Sequence, residues 1–225
     1  MLATAAAVLD VGAGDGYLAS KILEWLPTGG RVVCFDPHYT DEDLSRFAAT
    51  AGRGLTFSRE RPTGRFDVLL LLDVLEHVPD DQDLADRLVA ESVNAEGWVV
   101  VSVPAWPRIF AQHDVALGHF RRYTPAACGR ILRKANLTVM KSGGLFHVPL
   151  ALRVVTFTRE AIARRLRFRV APPANLGEWS HGPLFSAVVN GLLLADTFFS
   201  RKIALHGLSL PGLSFWALCR RGAGG

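Results

Sequence analysis

Short apolar runs alternate with amphipathic segments along the first two thirds of the chain. That alternation predicts strands at Ala7 to Val11, Arg31 to Asp36, Leu55 to Ser58, Phe66 to Leu72 and Trp98 to Val103. Between them, apolar positions at helical spacing predict helices over Tyr17 to Trp25, Asp41 to Ala49 and Asp83 to Ser92. Beyond Pro104 the chain reads as loop through Gly118. A helix then opens at Thr124 and runs through Arg133, followed by a strand over Leu137 to Lys141. A last β-rich stretch, Leu213 to Cys219, is expected to close the sheet. Strand and helix in alternation imply an α/β fold with a mainly parallel sheet. We divide it into a core over 1–143, a helical insertion or lid over 144–207, and a final strand and tail over 208–225.

Composition narrows the picture. The 225 residues are 49% hydrophobic and 20% charged, which fits one packed globular unit and excludes a disordered chain. The net charge of +4 is too small to imply nucleic acid, but it is unevenly placed. The insertion holds eight basic and three acidic residues, a net of +5, so the remainder is close to neutral. On a helical projection Leu152, Val155, Ile162 and Leu166 share one face, and Arg153, Arg164 and Arg167 the other. This predicts an apolar stripe turned inward and arginines turned outward toward solvent, an anionic group or a membrane surface. Apolar bulk at Phe185, Val188, Val189, Leu192 and Phe198 exceeds what a connection requires and suits a cover over a substrate.

Cys34, Cys128 and Cys219 are scattered, which supports neither a zinc knuckle nor a disulfide framework. The apolar stretch Leu184 to Phe199 is broken by Asn190 and Asp196 and is too short to span a bilayer. No secretory leader is read, so the expected location is cytoplasmic, with contact at a membrane surface left open.

The candidate chemistry begins where the first strand ends, at Asp10-Val11-Gly12-Ala13-Gly14-Asp15-Gly16, directly before a helix. Glycines there let the backbone turn tightly and approach a ligand, and the helix start favours a negatively charged group. Twenty residues beyond Gly16, Asp36 ends the second strand, where a carboxylate can accept from both hydroxyls of a ribose. A dinucleotide fingerprint would place its third glycine at Tyr17, which weakens an NAD-dependent oxidoreductase as the alternative.

With Asp10 ahead of the glycines, the segment resembles the acidic-x-G-x-G-x-G signature of class I S-adenosylmethionine-dependent methyltransferases. The stretch Phe66 to Asp81, containing Asp73-Val74-Leu75-Glu76-His77-Val78-Pro79-Asp80, looks like the fourth-strand motif of the same superfamily. Gly118-His119-Phe120-Arg121-Arg122-Tyr123-Thr124 is similar to a segment of many bacterial members. The resemblance implies a Rossmann-like, seven-stranded, mainly parallel sheet and S-adenosylmethionine as cofactor. Asp10, Gly12, Gly14 and Gly16 would surround its methionine part, Asp36 its ribose, Pro37 and His38 an adenine face, and Asp73 with Val74 the edge near the sulfonium. Arg59 and Glu60 stand where such enzymes often offer an Asp to the adenine, so that contact is not carried over.

The acceptor is expected to be an oxygen of a small metabolite, glycan or lipid-linked molecule; nucleic acid is not expected, and oligomeric state is left open. A catalytically silent cofactor-binding subunit is the other alternative. An oxygen acceptor must lose a proton, so His77, His119 and Tyr123 are the candidate catalytic groups, and His113, Arg121 and Arg122 would hold the acceptor. Asp73, Glu76, His77 and His119 also resemble the Glu-x-x-Glu-His metal ligands of certain O-methyltransferases. Aspartate at the first position shortens the reach, so no metal is assigned.

Overall fold

The protein is described by a computed structural model covering residues 1–165, 191–198, 200 and 210–222. Seven strands form one sheet: β1 (Ala7–Val11), β2 (Arg31–Phe35), β3 (Leu55–Ser58), β4 (Phe66–Leu72), β5 (Val93–Pro104), β6 (Leu137–Leu145) and β7 (Ser214–Arg221). The helices are α1 (Tyr17–Leu23), α2 (Asp41–Thr50), α3 (Asp81–Ser92), α4 (Gln112–Ala116), α5 (Pro125–Lys134) and α6 (His147–Arg165), with a further helical segment over 191–198.

The strand order is β3-β2-β1-β4-β5-β7-β6. From β3 to β5 every pairing is parallel, with Leu9 opposite both Val33 and Leu69. The sheet is nevertheless mixed, because β7 inserts between β5 and β6 and runs antiparallel to both. Sequence pattern identified that last strand but not its place inside the sheet. Strand β1 is buried at all five positions, as expected of a parallel strand covered on both faces. On one face Leu9, Leu69, Leu71, Val99 and Val101 pack with Leu88 and Leu132 of α3 and α5. On the other, Val8, Val32, Val68 and Leu70 meet Ala19 and Ile22 of α1.

Two expectations change in the second half of the chain. The stretch after Pro104 is not plain loop but holds a one-turn 3-10 helix, Pro107–Ile109, and α4. The predicted orientation of α6 is reversed over its described part. Leu152, Val155 and Ile162 are exposed, while Arg153 turns inward, its Nη2 lying 3.3 Å from the Ile109 carbonyl and 3.8 Å from Asp114. A buried carboxylate outbids solvent for that arginine, which the helical projection had no means of registering. The side chain of Arg164, together with Leu166, Arg167, Phe185, Val188 and Val189, lies outside the described residues. Buried Asp196 accepts from the N–H groups of His147 (2.9 Å) and Val148 (3.3 Å), so segment 191–198 caps the start of α6.

Candidate cofactor and acceptor site

The sheet order reverses between β1 and β4, and the candidate residues gather at the carboxyl ends of the strands flanking that reversal. After β1 the chain turns through Gly12, Gly14 and Gly16, all with positive φ. Two of them have separate reasons to be glycine. A Cβ on Gly16 would meet the Phe57 ring at 2.5 Å, so this position is fixed by packing at the start of α1. A Cβ on Gly14, at φ +55°, would meet nothing within 4 Å and would point into open space. That leaves an open cradle over the turn. The turn is braced from below by Tyr39, whose buried hydroxyl donates to the Gly14 carbonyl at 2.6 Å. Gly12 lies against Val74, joining the glycine turn to the end of β4.

Three carboxylates stand at the carboxyl ends of neighbouring strands. Asp10 is 4% exposed in β1, and burial pushes its carboxyl from 3.8 up to about 7. Asp36 follows β2, half-buried, with Oδ1 accepting the His38 N–H at 2.9 Å; Pro37 and His38 are exposed on the same turn. Asp73 follows β4 at φ +53°, accepting from Ser102 Oγ at 3.1 Å, and desolvation raises its carboxyl. An aspartate tolerates that left-handed backbone better than most residues, and such strain gathers at functional sites.

Beyond Asp73, the 3-10 turn Leu75–His77 presents two more candidates. His77 meets His119 edge-on, with ring centroids 4.7 Å apart, and desolvation together with His119 holds the His77 imidazole below its ordinary value. Glu76 is fully buried, with neither carboxylate oxygen partnered among the described residues. Desolvation, reinforced by Asp73, pushes it up to about 8. Donor atoms of Glu76, His77 and His119 all lie within 4.8 Å of one another, whereas Asp73 does not join that group. The acidic and imidazole donors suit a divalent ion, so three of the four resembled ligands converge.

The remaining candidates are placed differently. His113 is exposed on α4. Arg121 pairs with Asp81 at 3.0 Å and donates to the Pro79 carbonyl at 2.6 Å. Arg122 is buried, with Nε donating to Asp114 at 2.6 Å and Nη1 to the Ala105 carbonyl at 3.1 Å. Tyr123, 3% exposed, donates its hydroxyl to Asp81 at 2.6 Å. Arg122 Nε and Nη1 and the Tyr123 hydroxyl are thus hydrogen-bonded within the protein. Sequence reasoning passed over Asp114 and Tyr39. No pattern signals a lone buried aspartate or a tyrosine whose partner is a backbone carbonyl twenty-five residues away.

The chain is similar to several known proteins. A ubiquinone biosynthesis O-methyltransferase of Rhodopseudomonas palustris (strain BisA53) is 26% identical over 162 residues, 64% of this chain and 63% of that protein. An uncharacterized methyltransferase of Mycobacterium sp. (strain JLS) is 29% identical over 120 residues, 50% of this chain and 44% of that one. The chain therefore spans about half to two thirds of the length of these relatives. Among solved structures, an S-adenosylmethionine-dependent methyltransferase from Mesorhizobium loti superposes with a TM-score of 0.58 at 14% identity, covering 98% of this chain and 93% of that one. At that identity the likeness speaks for the fold. Residues 2–142, which carry the glycine turn, Asp36, Asp73 and the His77–His119 pair, match the methyltransferase domain family, and the chain belongs to it.

Proposed function

We propose that this protein transfers a methyl group from S-adenosylmethionine to a hydroxyl oxygen of a small-molecule acceptor. The observation that carries this is the Gly14 turn, with open space where a Cβ would stand, at the end of the sheet where Asp10, Asp36 and Asp73 end or follow the neighbouring strands. Bound there, the cofactor supplies a methyl activated on a sulfonium. Asp10, buried at the end of β1, offers its charge to the methionine ammonium, and Asp36 offers acceptors to the ribose. Pro37 and His38 border the adenine, while Asp73 and Val74 edge the sulfonium. As the acceptor oxygen bonds to the methyl carbon and the sulfur–carbon bond breaks, the oxygen's proton passes to His119, with His77 beside it. Alignment and exclusion of water supply the rest of the acceleration.

Residues 1–143 and 208–225 form the core in this reading and 144–207 cover the acceptor, with 166–190, 199 and 201–209 outside the described residues; the reach of Arg153 from α6 to Asp114 supports it for the part that is described. Apolar Leu152, Val155 and Ile162 on the outer side of α6 suit a lipid-linked acceptor or a membrane surface. No described helix is long and apolar enough to cross a membrane. Equal, negligible cosedimentation with anionic and neutral vesicles would remove the surface contact.

The deciding experiment is calorimetry with S-adenosylhomocysteine and NADH, followed by transfer of labelled methyl to a panel of phenols and alcohols. Binding of S-adenosylhomocysteine with methyl transfer is expected. Binding of NADH alone would give the oxidoreductase reading, and binding without transfer the silent subunit. The convergence of Glu76, His77 and His119 favours one variation, in which these side chains hold a divalent ion that acidifies the hydroxyl. Loss of transfer in EDTA, restored by added Mg²⁺ or Mn²⁺, is its signature.

A further inference from the structure

The loop carrying His119 is organised around Asp114, a residue given no part in the chemistry above. Asp114 is fully buried on α4, and its two carboxylate oxygens divide their partners. Oδ2 accepts the Ala111 N–H at 2.9 Å and faces Arg153 of α6 at 3.8 Å. Oδ1 accepts from Arg122 Nε at 2.6 Å and lies 3.3 Å from His119 Nδ1. The backbone reinforces this arrangement, because the His119 N–H donates to the Asp114 carbonyl at 2.9 Å and the Phe120 N–H to the Glu76 carbonyl at 2.8 Å. Burial alone would raise the Asp114 carboxyl, but the Ala111 N–H and Arg122 outweigh it and hold the group below its ordinary value.

A carboxylate flanked by two guanidinium groups and a backbone N–H is ionised and can only accept hydrogen bonds. The nitrogen of His119 that faces it must therefore carry the hydrogen. In a neutral imidazole one nitrogen donates and the other accepts, so protonation at Nδ1 leaves the lone pair at Nε2. We infer that Asp114 is the positioning residue of His119, fixing its ring and its Nδ1–H tautomer so that Nε2 is the nitrogen offered to the acceptor hydroxyl. This rests on His119 as the proton acceptor in the proposed methyl transfer. Arg122 and Arg153 acquire a purpose within it: Arg122 keeps the carboxylate charged and oriented, and Arg153 ties it to the segment that covers the acceptor. A merely structural Asp114 would anchor Arg122 and the loop without any requirement on the histidine tautomer.

The tautomer can be read in the native protein without a substitution. Long-range ¹H–¹⁵N spectra of the S-adenosylhomocysteine complex at about pH 8.5, where imidazoles are neutral, distinguish the protonated ring nitrogen from the bare one. The His119 signals are those missing from His119→Gln. A protonated Nδ1 is expected, and a protonated Nε2 would overturn the inference outright. The kinetic counterpart is Asp114→Asn, tested with the most reactive hydroxyl compound of the panel. A loss of about 10- to 100-fold in kcat is expected, with KM and S-adenosylhomocysteine affinity within about twofold. Unchanged kcat in a variant that melts as a folded protein would refute the assignment. If Asp114→Asn fails to fold, the native spectrum decides alone. If the native protein binds S-adenosylhomocysteine but methylates nothing, the transfer reading falls while the spectrum still tests the pairing.

Discussion

Replacing Asp10 by asparagine should make the protein more stable and worse at binding its cofactor. Burial moves the Asp10 carboxyl from 3.8 in an open chain to about 7 in the folded protein, so the folded form holds that proton more tightly than the unfolded form does. Stability contributed by this group is greatest when the carboxyl is protonated in both states, near pH 4 and below. It is lost as the pH rises from there through about 7. About three units at 1.36 kcal/mol each put the ionisation penalty at about 4 kcal/mol. Asparagine never pays it. At pH 8 the variant should therefore melt above the native protein, by about 8 to 16 °C for a chain of this size, and the gap should narrow toward pH 5. Glu76 is shifted in the same direction, but it titrates in both proteins and cancels from the difference.

The binding half of the argument has the opposite sign. S-adenosylhomocysteine keeps the ammonium of its amino-acid portion, and the Asp10 charge opposing it is worth about 1.5 to 3 kcal/mol, or about 10- to 100-fold in Kd. Scanning calorimetry from pH 5 to 8, with titration calorimetry at each pH, reads both quantities. A variant no more stable than the native protein at pH 8, and equal to it in affinity, would refute the reasoning on both counts.

Gly14→Val should retain the fold, at a cost of about 1 to 2 kcal/mol for its left-handed backbone, and lose S-adenosylhomocysteine in titration calorimetry, because its side chain enters the empty cradle. Gly16→Ala should instead lower the melting temperature sharply, since its methyl meets the Phe57 ring stacked on Phe47 at 4.8 Å. Asp36→Ala should weaken S-adenosylhomocysteine by about 1.5 to 3 kcal/mol with melting unchanged; full affinity in a folded variant would remove Asp36 from the ribose. Tyr123→Phe should cost about 1 to 3 kcal/mol in denaturant unfolding and leave cofactor affinity intact, because its hydroxyl serves buried Asp81.

The strands beside the site were legible because of where they lie. β1 and β4 coincide with the ranges read from the sequence, since parallel strands near the middle of a sheet read as largely apolar runs between glycines and polar turns, and β3, at the sheet's edge, coincides through its short alternating pattern alone. The glycine turn, Asp36 and Asp73 were legible for the same reason, each being fixed relative to the end of such a strand. β5 extends back to Val93 through Asn94 and Glu96, polar residues that hide a strand's start. α4 has five residues, too few to show a period. What stayed illegible is the network in which α4 takes part. Asp114 meets Arg122 eight residues on and Arg153 thirty-nine on, and nothing in local pattern says that those three charges share one buried place.

The carboxylates themselves divide by position, and the division bears on ligand binding. Asp43 is lowered by the Thr40 hydroxyl and N–H that it caps. Asp67 is lowered because the N–H groups of Ala6 and Ala7 and the Asn94 amide outweigh its burial. Asp10, Asp73 and Glu76, gathered at the reversal of the sheet, are all raised by desolvation. A fold that can pair its acidic groups elsewhere leaves these three costly, a pattern common where a ligand completes the electrostatics. For Asp10 the consequence has a definite sign. Its proton must leave before the carboxylate can face an ammonium, so affinity for S-adenosylhomocysteine should rise from pH 5 to about 7 and level off above it, and binding near pH 6 should release close to one proton. Titrations at pH 6 in buffers of different ionisation heat measure that release directly. A flat affinity with no proton released would mean that the ammonium is held by some other group.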